Sequence, residues 1–309
     1  MDIKCNEYPI LIIGNGKLAY SVTVCLSSAG HRVTLMTDNK DEAAEGINNH
    51  FLDMARFRDG GPKAGLPEIA GFDDRTAGDY KIGIGITSED PAEKRPVILR
   101  LEGNVGPEGI IAINTESIPL SSLQEGCVHP ERLIGLNWVE PAHTTFFLEL
   151  IINERTVKGL ADDVYMLAKD CWGKDPYLIS RDTGIRARLL SGLVREAFYL
   201  VQNGYASIED IDRACKNDAG YYLPFAGNFR YMDLMGPYAY GLVMKDLNRE
   251  LSKDAQIPPF FKEIMDQGGL GMDNNKGFYE YDEDEVKRWN EIFRTFSFQI
   301  QDIIGKSPI

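Results

Sequence analysis

Two sets of residues in this sequence have types and spacings suited to chemistry. Gly14-Asn-Gly16-Lys-Leu-Ala19 directly follows the apolar run Pro9-Ile-Leu-Ile-Ile13, so a buried strand turns sharply into a helix whose first N–H groups converge. That arrangement binds a phosphate or pyrophosphate: Gly14 makes the turn, Gly16 lets the anion reach the backbone, and the small Ala19 lets helix and strand pack closely. The alternative is a glycine turn that serves packing alone. The second set is acidic. Glu116, Glu140 and Glu149 repel one another if one cleft gathers them, and one carboxyl would then hold its proton and work as general acid and base. Arg186 and Arg188 offer the opposite outcome, ion pairs that make the cluster structural. His143, one of four histidines, lies just beyond Pro141, where an imidazole is either a base or merely an exposed loop residue. The three carboxylates lack a diagnostic metal-ligand spacing, so no metal is expected.

The apolar pattern supplies a scaffold for these side chains. Leu18 to Ser28 reads as a helix closed at Ala29-Gly30, and Arg32-Val-Thr-Leu-Met36 follows as a second strand. Further short apolar runs at Lys81–Ile86, Gly109–Ile113 and Leu133–Trp138 alternate with helical stretches, which implies a parallel sheet covered on both faces. From about Thr183 the pattern turns helical. Leu190, Leu193, Val194, Ala197, Phe198 and Val201 share one helical stripe that ends at Asn203-Gly204, and Ser207-Ile-Glu-Asp210 reads as a capping box. Leu223–Pro237 is rich in Gly, Pro and aromatics and reads as a packed loop. The domain junction falls near Arg181 to Gly184.

In chain order, Gly14-x-Gly16-x-x-Ala19, Asn114-Thr-Glu-Ser117, Gly135-Leu-Asn-Trp-Val-Glu-Pro141 with Glu149, Asp182-Thr-Gly-Ile-Arg-Ala-Arg188, Ala206-Ser-Ile-Glu-Asp-Ile-Asp212 and Lys276-Gly-Phe-Tyr279 resemble segments of the 3-hydroxyacyl-CoA dehydrogenase family. The resemblance spans nearly the whole chain. It implies an α/β Rossmann-type N-terminal domain over residues 1–182 and an all-α substrate and dimerisation domain over residues 183–309. It further implies NAD as cofactor, hydride transfer at C3 of an acyl-CoA, and a homodimer. Gly14, Gly16, Ala19 and Asn114 fall on cofactor-binding positions. Thr37 stands where the family places its ribose-binding acid, and Asp38 follows one residue later. That displacement turns a strand side chain to the other face unless the loop corrects it. Asp38 would repel a 2′-phosphate, which favours NAD over NADP.

The catalytic positions depart from the family. Its His falls on Asn137, its substrate-contacting Ser on Glu116 and its Asn on Ala187, while Glu149 matches the Glu that orients the His. An amide has no basic lone pair near neutral pH, and losing a general base costs about 10² to 10⁴ in rate. Acetoacetyl-CoA reduction by the usual route is therefore expected to be absent or very slow. The candidates for the chemistry are Glu149, Asn137, Glu116 and His143. Two functions compete: an NAD-dependent oxidoreductase of a 3-hydroxy or 3-oxo substrate with a rebuilt proton-transfer site, and a non-catalytic homologue that binds cofactor or acyl-CoA.

Composition narrows the classes. The 309 residues, 43% apolar and 26% charged, carry a net charge of −14, which argues against a nucleic-acid or anionic-membrane binder and leaves a small molecule as the partner. Cys5, Cys25, Cys127, Cys171 and Cys215 are odd in number and scattered, as expected for reduced thiols in a cytoplasmic protein. Met1-Asp-Ile-Lys4 lacks the features of a signal peptide, and no uninterrupted apolar run approaches membrane-spanning length.

Overall fold

The computed structural model describes residues 8–58, 61, 63, 65–74 and 79–306; Met1-Asp-Ile-Lys4 and Cys5 lie outside them. The chain forms two compact units, Met1–Ala187 and Arg188–Ile309. The division falls a few residues after the 182/183 junction read from the sequence.

The first unit is built on an eight-stranded sheet in the order β3-β2-β1-β4-β5-β6-β7-β8. Strands β1 (Ile10–Gly14), β2 (Val33–Thr37), β3 (Glu68–Gly71), β4 (Tyr80–Ile86), β5 (Val105–Ile113) and β6 (Leu133–Trp138) are parallel. Strand β7 (Phe147–Ile151) runs antiparallel to β6, and β8 (Asp175–Ile179) runs parallel to β7. The runs read from the sequence as strands are all parallel, and β7 adds an antiparallel neighbour that was not read there. Residues 139–146 are too few for the crossover of about a dozen residues that a parallel partner needs, so the chain must turn straight back.

Helices α1 (Gly16–Ala29), α2 (Lys40–Phe57), α3 (Pro91–Asn104), α4 (Leu120–Gln124) and α5 (Leu160–Asp170) cover the sheet. One face, with Ile12, Ile84, Leu136, Trp138, Leu148 and Leu150, packs against α1, α2 and α5. The other, with Leu11, Ile13, Ile111, Leu133 and Ile151, packs against α3 and α4. Burial on both faces is why the strands read as unbroken apolar runs. Alternation along the strand then fixes the site: Asn137 and Glu149, direct partners across β6 and β7, point to the α3 and α4 face. Cys25, Cys127 and Cys215 are free thiols, but Cys171 is disulfide-bonded, which corrects the expectation of reduced cysteines at that position.

The second unit is helical: α6 (Arg186–Gln202), which starts just before the division, is followed by α7 (Ile208–Asn217), α8 (Ala219–Met235), α9 (Pro237–Leu247), α10 (Pro259–Asp266) and α11 (Glu283–Lys306). Ser207 caps α7 as the sequence indicates, its Oγ accepting the Asp210 N–H at 3.1 Å. Leu223–Pro237, expected as a packed loop, is instead mostly helix. Helix α8 accommodates Pro224, breaks at Gly227 (φ 62°, ψ −172°) and stops at Gly236, whereupon Pro237 opens α9. Tyr222 stacks on Tyr231 across the break, with ring centroids 3.9 Å apart, a contact that composition cannot reveal. Among the described residues no helix is long and apolar enough to cross a membrane.

Candidate active site

The glycine loop borders a cleft of about 440 Å³ lined by Ile13, Gly14, Asn15, Leu18, Thr87 and Val97, among others. A Cβ on Gly14 would lie 2.5 Å from the Ile86 carbonyl oxygen, whereas Gly16, at φ +79°, faces open space. Asn15 occupies the N-cap of α1 but its side chain does not cap the helix. Its Oδ1 accepts the Thr37 hydroxyl at 2.5 Å and the Asp38 N–H at 3.2 Å, and its Nδ2 donates to the Asp38 carboxylate at 3.1 Å. The first amides of α1 therefore have neither a side-chain cap nor an acid in the first turn, and they form a cradle that favours a phosphate. Ala19 is fully buried, as close helix packing requires. The loop also bends exposed Asp38 back towards the cradle while Thr37 stays buried. Cradle and cleft fit a dinucleotide.

Lys94 and Glu89 are polar groups of this edge that sequence reasoning missed. Lys94, on α3, is 0% exposed; its Nζ donates to the Asn114 carbonyl at 2.7 Å and to Thr87 Oγ1 at 3.2 Å, and pairs with Glu89 at 3.1 Å. The other Glu89 oxygen accepts the backbone N–H groups of Glu116, Ser117 and Ile118 at 2.7 to 2.9 Å. Burial works against the Glu89 charge, but those amides and Lys94 hold its carboxyl below the usual range. Burial lowers the Lys94 pKa, and Glu89 opposes that shift. A lysine in the first turn of a surface helix reads as solvated, so the sequence carried no signal for it. Asn114 closes this corner: its side-chain amide accepts the Thr87 N–H at 2.9 Å and donates to the Thr87 carbonyl at 2.8 Å.

Asn137 makes the same kind of bridge one strand further along the sheet. Its Oδ1 accepts the Thr115 N–H at 2.7 Å, and its Nδ2 donates to the Thr115 carbonyl at 2.7 Å and to Glu149 Oε2 at 2.9 Å. Glu149, fully buried, accepts the N–H groups of Ile185 at 2.7 Å and Arg186 at 3.3 Å. Gly184 lies so close that any Cβ would overlap that carboxylate. Each neutral bond contributes about 0.5 to 1.5 kcal/mol net, and those to a charged group about 1.5 to 3 kcal/mol. Both N–H donors of Asn137 are thus committed, and its amide braces strand ends rather than carrying protons.

Glu116 differs from its neighbours. Its Oε1 accepts from Arg186 Nη1 at 2.6 Å, in a pair whose side chains are 32% and 34% exposed. Its Oε2 is buried without a partner among the described residues, a situation that costs about 1 to 3 kcal/mol. Burial raises the Glu116 pKa; Arg186 opposes the shift, and the nearby Glu149 and Glu89 charges add to it. The structure therefore brings Glu116, Asn137, Glu149 and Arg186 together. Glu140 is partly exposed and precedes Pro141 through a cis peptide bond.

His143 has its contacts on the side of α1 and α2. The Ala142 N–H donates to Ser21 Oγ on α1 at 3.1 Å, and the Lys174 ammonium donates to the Ala142 and Thr145 carbonyls. The His143 ring meets His50 of α2 edge-on, with centroids 4.8 Å apart. The contacts with Ser21 and His50 are with α1 and α2. Burial, with smaller contributions from His50 and Lys174, lowers the His143 pKa to about 3.

The NAD binding domain of the 3-hydroxyacyl-CoA dehydrogenases matches residues 9–183, and the C-terminal domain of the same family matches residues 185–281. The chain belongs to the 3-hydroxyacyl-CoA dehydrogenase family. Its cofactor is accordingly NAD, and it is an oxidoreductase of the NAD-dependent dehydrogenase kind. It is similar to the 5-formyl-3-hydroxy-2-methylpyridine 4-carboxylate 5-dehydrogenase of Mesorhizobium japonicum, with 28% identity over 232 residues, 73% of this chain and 74% of that protein. It is also similar to the probable 3-hydroxybutyryl-CoA dehydrogenase of Bacillus subtilis, with 26% identity over 293 residues, 92% of this chain and 99% of that protein. Among solved structures, a 5-formyl-3-hydroxy-2-methylpyridine 4-carboxylic acid 5-dehydrogenase, described as an NAD+-dependent dismutase, aligns at TM-score 0.88 and 23% identity, covering 97% of this chain and 99% of that one. The (S)-3-hydroxybutyryl-CoA dehydrogenase of Ralstonia eutropha aligns at TM-score 0.64 and 24% identity, covering 89% and 99%. Both share the fold.

A histidine whose folded pKa lies below its unfolded value of about 6.5 stabilises the fold above that pH, and the contribution is lost as pH falls towards about 3. The parent should therefore lose stability between about pH 6.5 and 4 more steeply than His143→Phe, by at most about 1.4 kcal/mol per pH unit. Urea denaturation of both across that range checks this, and parallel curves would exclude the buried neutral imidazole.

Proposed function

We propose that this enzyme transfers hydride between NAD and a small hydroxy or oxo compound, and that Glu116 handles the proton. The observation that supports this reading is the contrast between two neighbouring side chains. The Asn137 amide has both donors committed within the fold, whereas Glu116 combines a raised pKa with one unpartnered oxygen. NAD supplies the hydride acceptor or donor. In our reading the loop amides from Gly14 to Ala19 take its pyrophosphate, Asp38 its ribose hydroxyls, and Asn114, Lys94 and Glu89 form the polar wall beside it.

As a carboxylic acid, Glu116 donates to the substrate's oxo oxygen; as a carboxylate, it takes the proton from the hydroxyl. Arg186 holds it in place, and Glu149 acts through Asn137 to fix the chain end from which Glu116 projects. An acyl-CoA thioester is the less favoured substrate, because the side chains that the family resemblance assigns to its oxygen are replaced at positions 116, 137 and 187. The relative named for a small pyridine carboxylate supports that choice.

The second unit supports a homodimer. None of the residues of α6 to α10, all of them described, is buried, and Leu189, Tyr221, Phe229 and Tyr238 are 68 to 83% exposed. Burying each such side chain is worth about 1.5 to 3 kcal/mol, and a second copy is the partner we assign. Light scattering should show a dimer for the parent and a monomer for Phe229→Glu combined with Tyr238→Glu; a monomeric parent at high concentration contradicts this.

The proton role is tested by following reduced cofactor with acetoacetate, methyl acetoacetate, benzaldehyde and 2-carboxybenzaldehyde. For every compound that the parent reduces, Glu116→Gln should lower kcat by about 10² to 10⁴ while leaving NADH affinity unchanged. Asn137→His should restore little acetoacetyl-CoA reduction, because an imidazole cannot satisfy both Thr115 backbone groups. Parental kcat in Glu116→Gln would sink the proposal, as would acetoacetyl-CoA turnover by the parent at an ordinary rate, on the order of 10 per second.

A further inference from the structure

The Glu116–Arg186 pair is incomplete on both sides. A guanidinium ordinarily grips a carboxylate through two parallel N–H bonds, but here only Nη1 is engaged, and Nε and Nη2 have no acceptor among the described residues. On the acid, Oε2 is buried without a partner among the described residues. Both backbones are anchored: the Arg186 N–H donates to Glu149, and the Glu116 N–H donates to Glu89. Arg186 lies within the segment Asp182-Thr-Gly-Ile-Arg-Ala-Arg188. A partly exposed guanidinium with spare donors beside a carboxyl whose second oxygen is unpartnered among the described residues is therefore built to meet a ligand oxygen.

We propose that Arg186 determines specificity by binding a carboxylate carried by the substrate itself, so that the substrates are small hydroxy or oxo acids. This deepens the proposed NAD-linked reading and rests on it. The charges that face Glu116 are Arg186 from α6, Glu149 from β7, Glu89 from the segment after β4 and Lys94 from α3. Lys94 is paired with Glu89, and Glu149 is held by neutral donors, so Arg186 is the cation closest to Glu116. A substrate carboxylate on Arg186 competes for that cation and adds a negative charge, and Glu116 responds by taking one proton from solvent. In the reductive direction this proton ends on the oxo oxygen as the carbonyl carbon receives hydride. Anion binding thus loads the acid beside the group to be reduced.

The test reads binding without turnover. Benzoate and malonate are titrated calorimetrically into the NAD-saturated protein, in two buffers of different ionisation enthalpy near neutral pH. The parent should bind at least one of them with uptake of up to one proton. Arg186→Gln should weaken that binding on the order of 10- to 100-fold, Arg186→Lys should recover part of it, and unchanged NAD affinity in both variants shows that they are folded. In turnover, Arg186→Gln should raise KM for 2-carboxybenzaldehyde far more than for benzaldehyde. If neither anion binds the parent, or if Arg186→Gln binds them as well as the parent does, the inference is overturned. An undiminished Glu116→Gln kcat would instead remove the proton role and leave anion binding by Arg186 standing.

Discussion

Strand β5 ends at Ile113, and two residues later the Thr115 N–H and carbonyl are buried beyond the reach of any ladder partner. Left alone, each would cost about 1 to 3 kcal/mol. The Asn137 amide satisfies both, as Asn114 does for Thr87 one strand away. The two asparagines extend the sheet sideways past its last backbone bonds and hold the ends of β4, β5 and β6 in fixed relation. Glu116 owes its position to that bracing. So does Glu149, whose buried charge is stabilised by the remaining Asn137 hydrogen and two backbone amides rather than by a cation. An imidazole and an amide at position 137 are therefore different solutions, one carrying a proton and the other bracing the chain.

The electrostatics follow from this allocation. Three carboxylates share the region with two cations, and each acid is treated differently. Glu89 receives Lys94 and three backbone amides and is held ionised. Glu149 receives only neutral donors, in a recess that Gly184 leaves just wide enough. Glu116 receives a single bond from Arg186 and the repulsion of the other two, and here burial and repulsion outweigh the cation. The acid role proposed for Glu116 thus rests on the carboxylate with the fewest partners, where a change of protonation state costs the fold least.

Features set by local rules were legible in the sequence. The glycine turn needs Gly14 and Gly16 wherever such a strand enters such a helix, and Ser207 caps α7 through residues three apart. What depended on tertiary register was not legible. The face to which His143 turns is decided by the tether from Ser21 to Ala142 and by packing on His50, contacts remote in sequence. The reversal of β7, the helical course of Leu223–Pro237 around Gly227 and the complete burial of Lys94 are likewise products of assembly. The position of Asp38 is intermediate: the displacement from the strand end was visible, but the bond from the Asn15 side chain was not.

The central claim is that Glu116 is the proton-bearing group of the site, and its own ionisation is the most direct measure of that. Glutamate side chains labelled with carbon-13 at Cδ can be followed by NMR through a pH titration, with the Glu116 resonance identified by its loss in Glu116→Gln. The account predicts a midpoint above the ordinary glutamate value of about 4.3, moved up by burial and by the Glu149 and Glu89 charges against the pull of Arg186. A midpoint at or below that ordinary value would show that Arg186 holds Glu116 ionised, and would contradict the account.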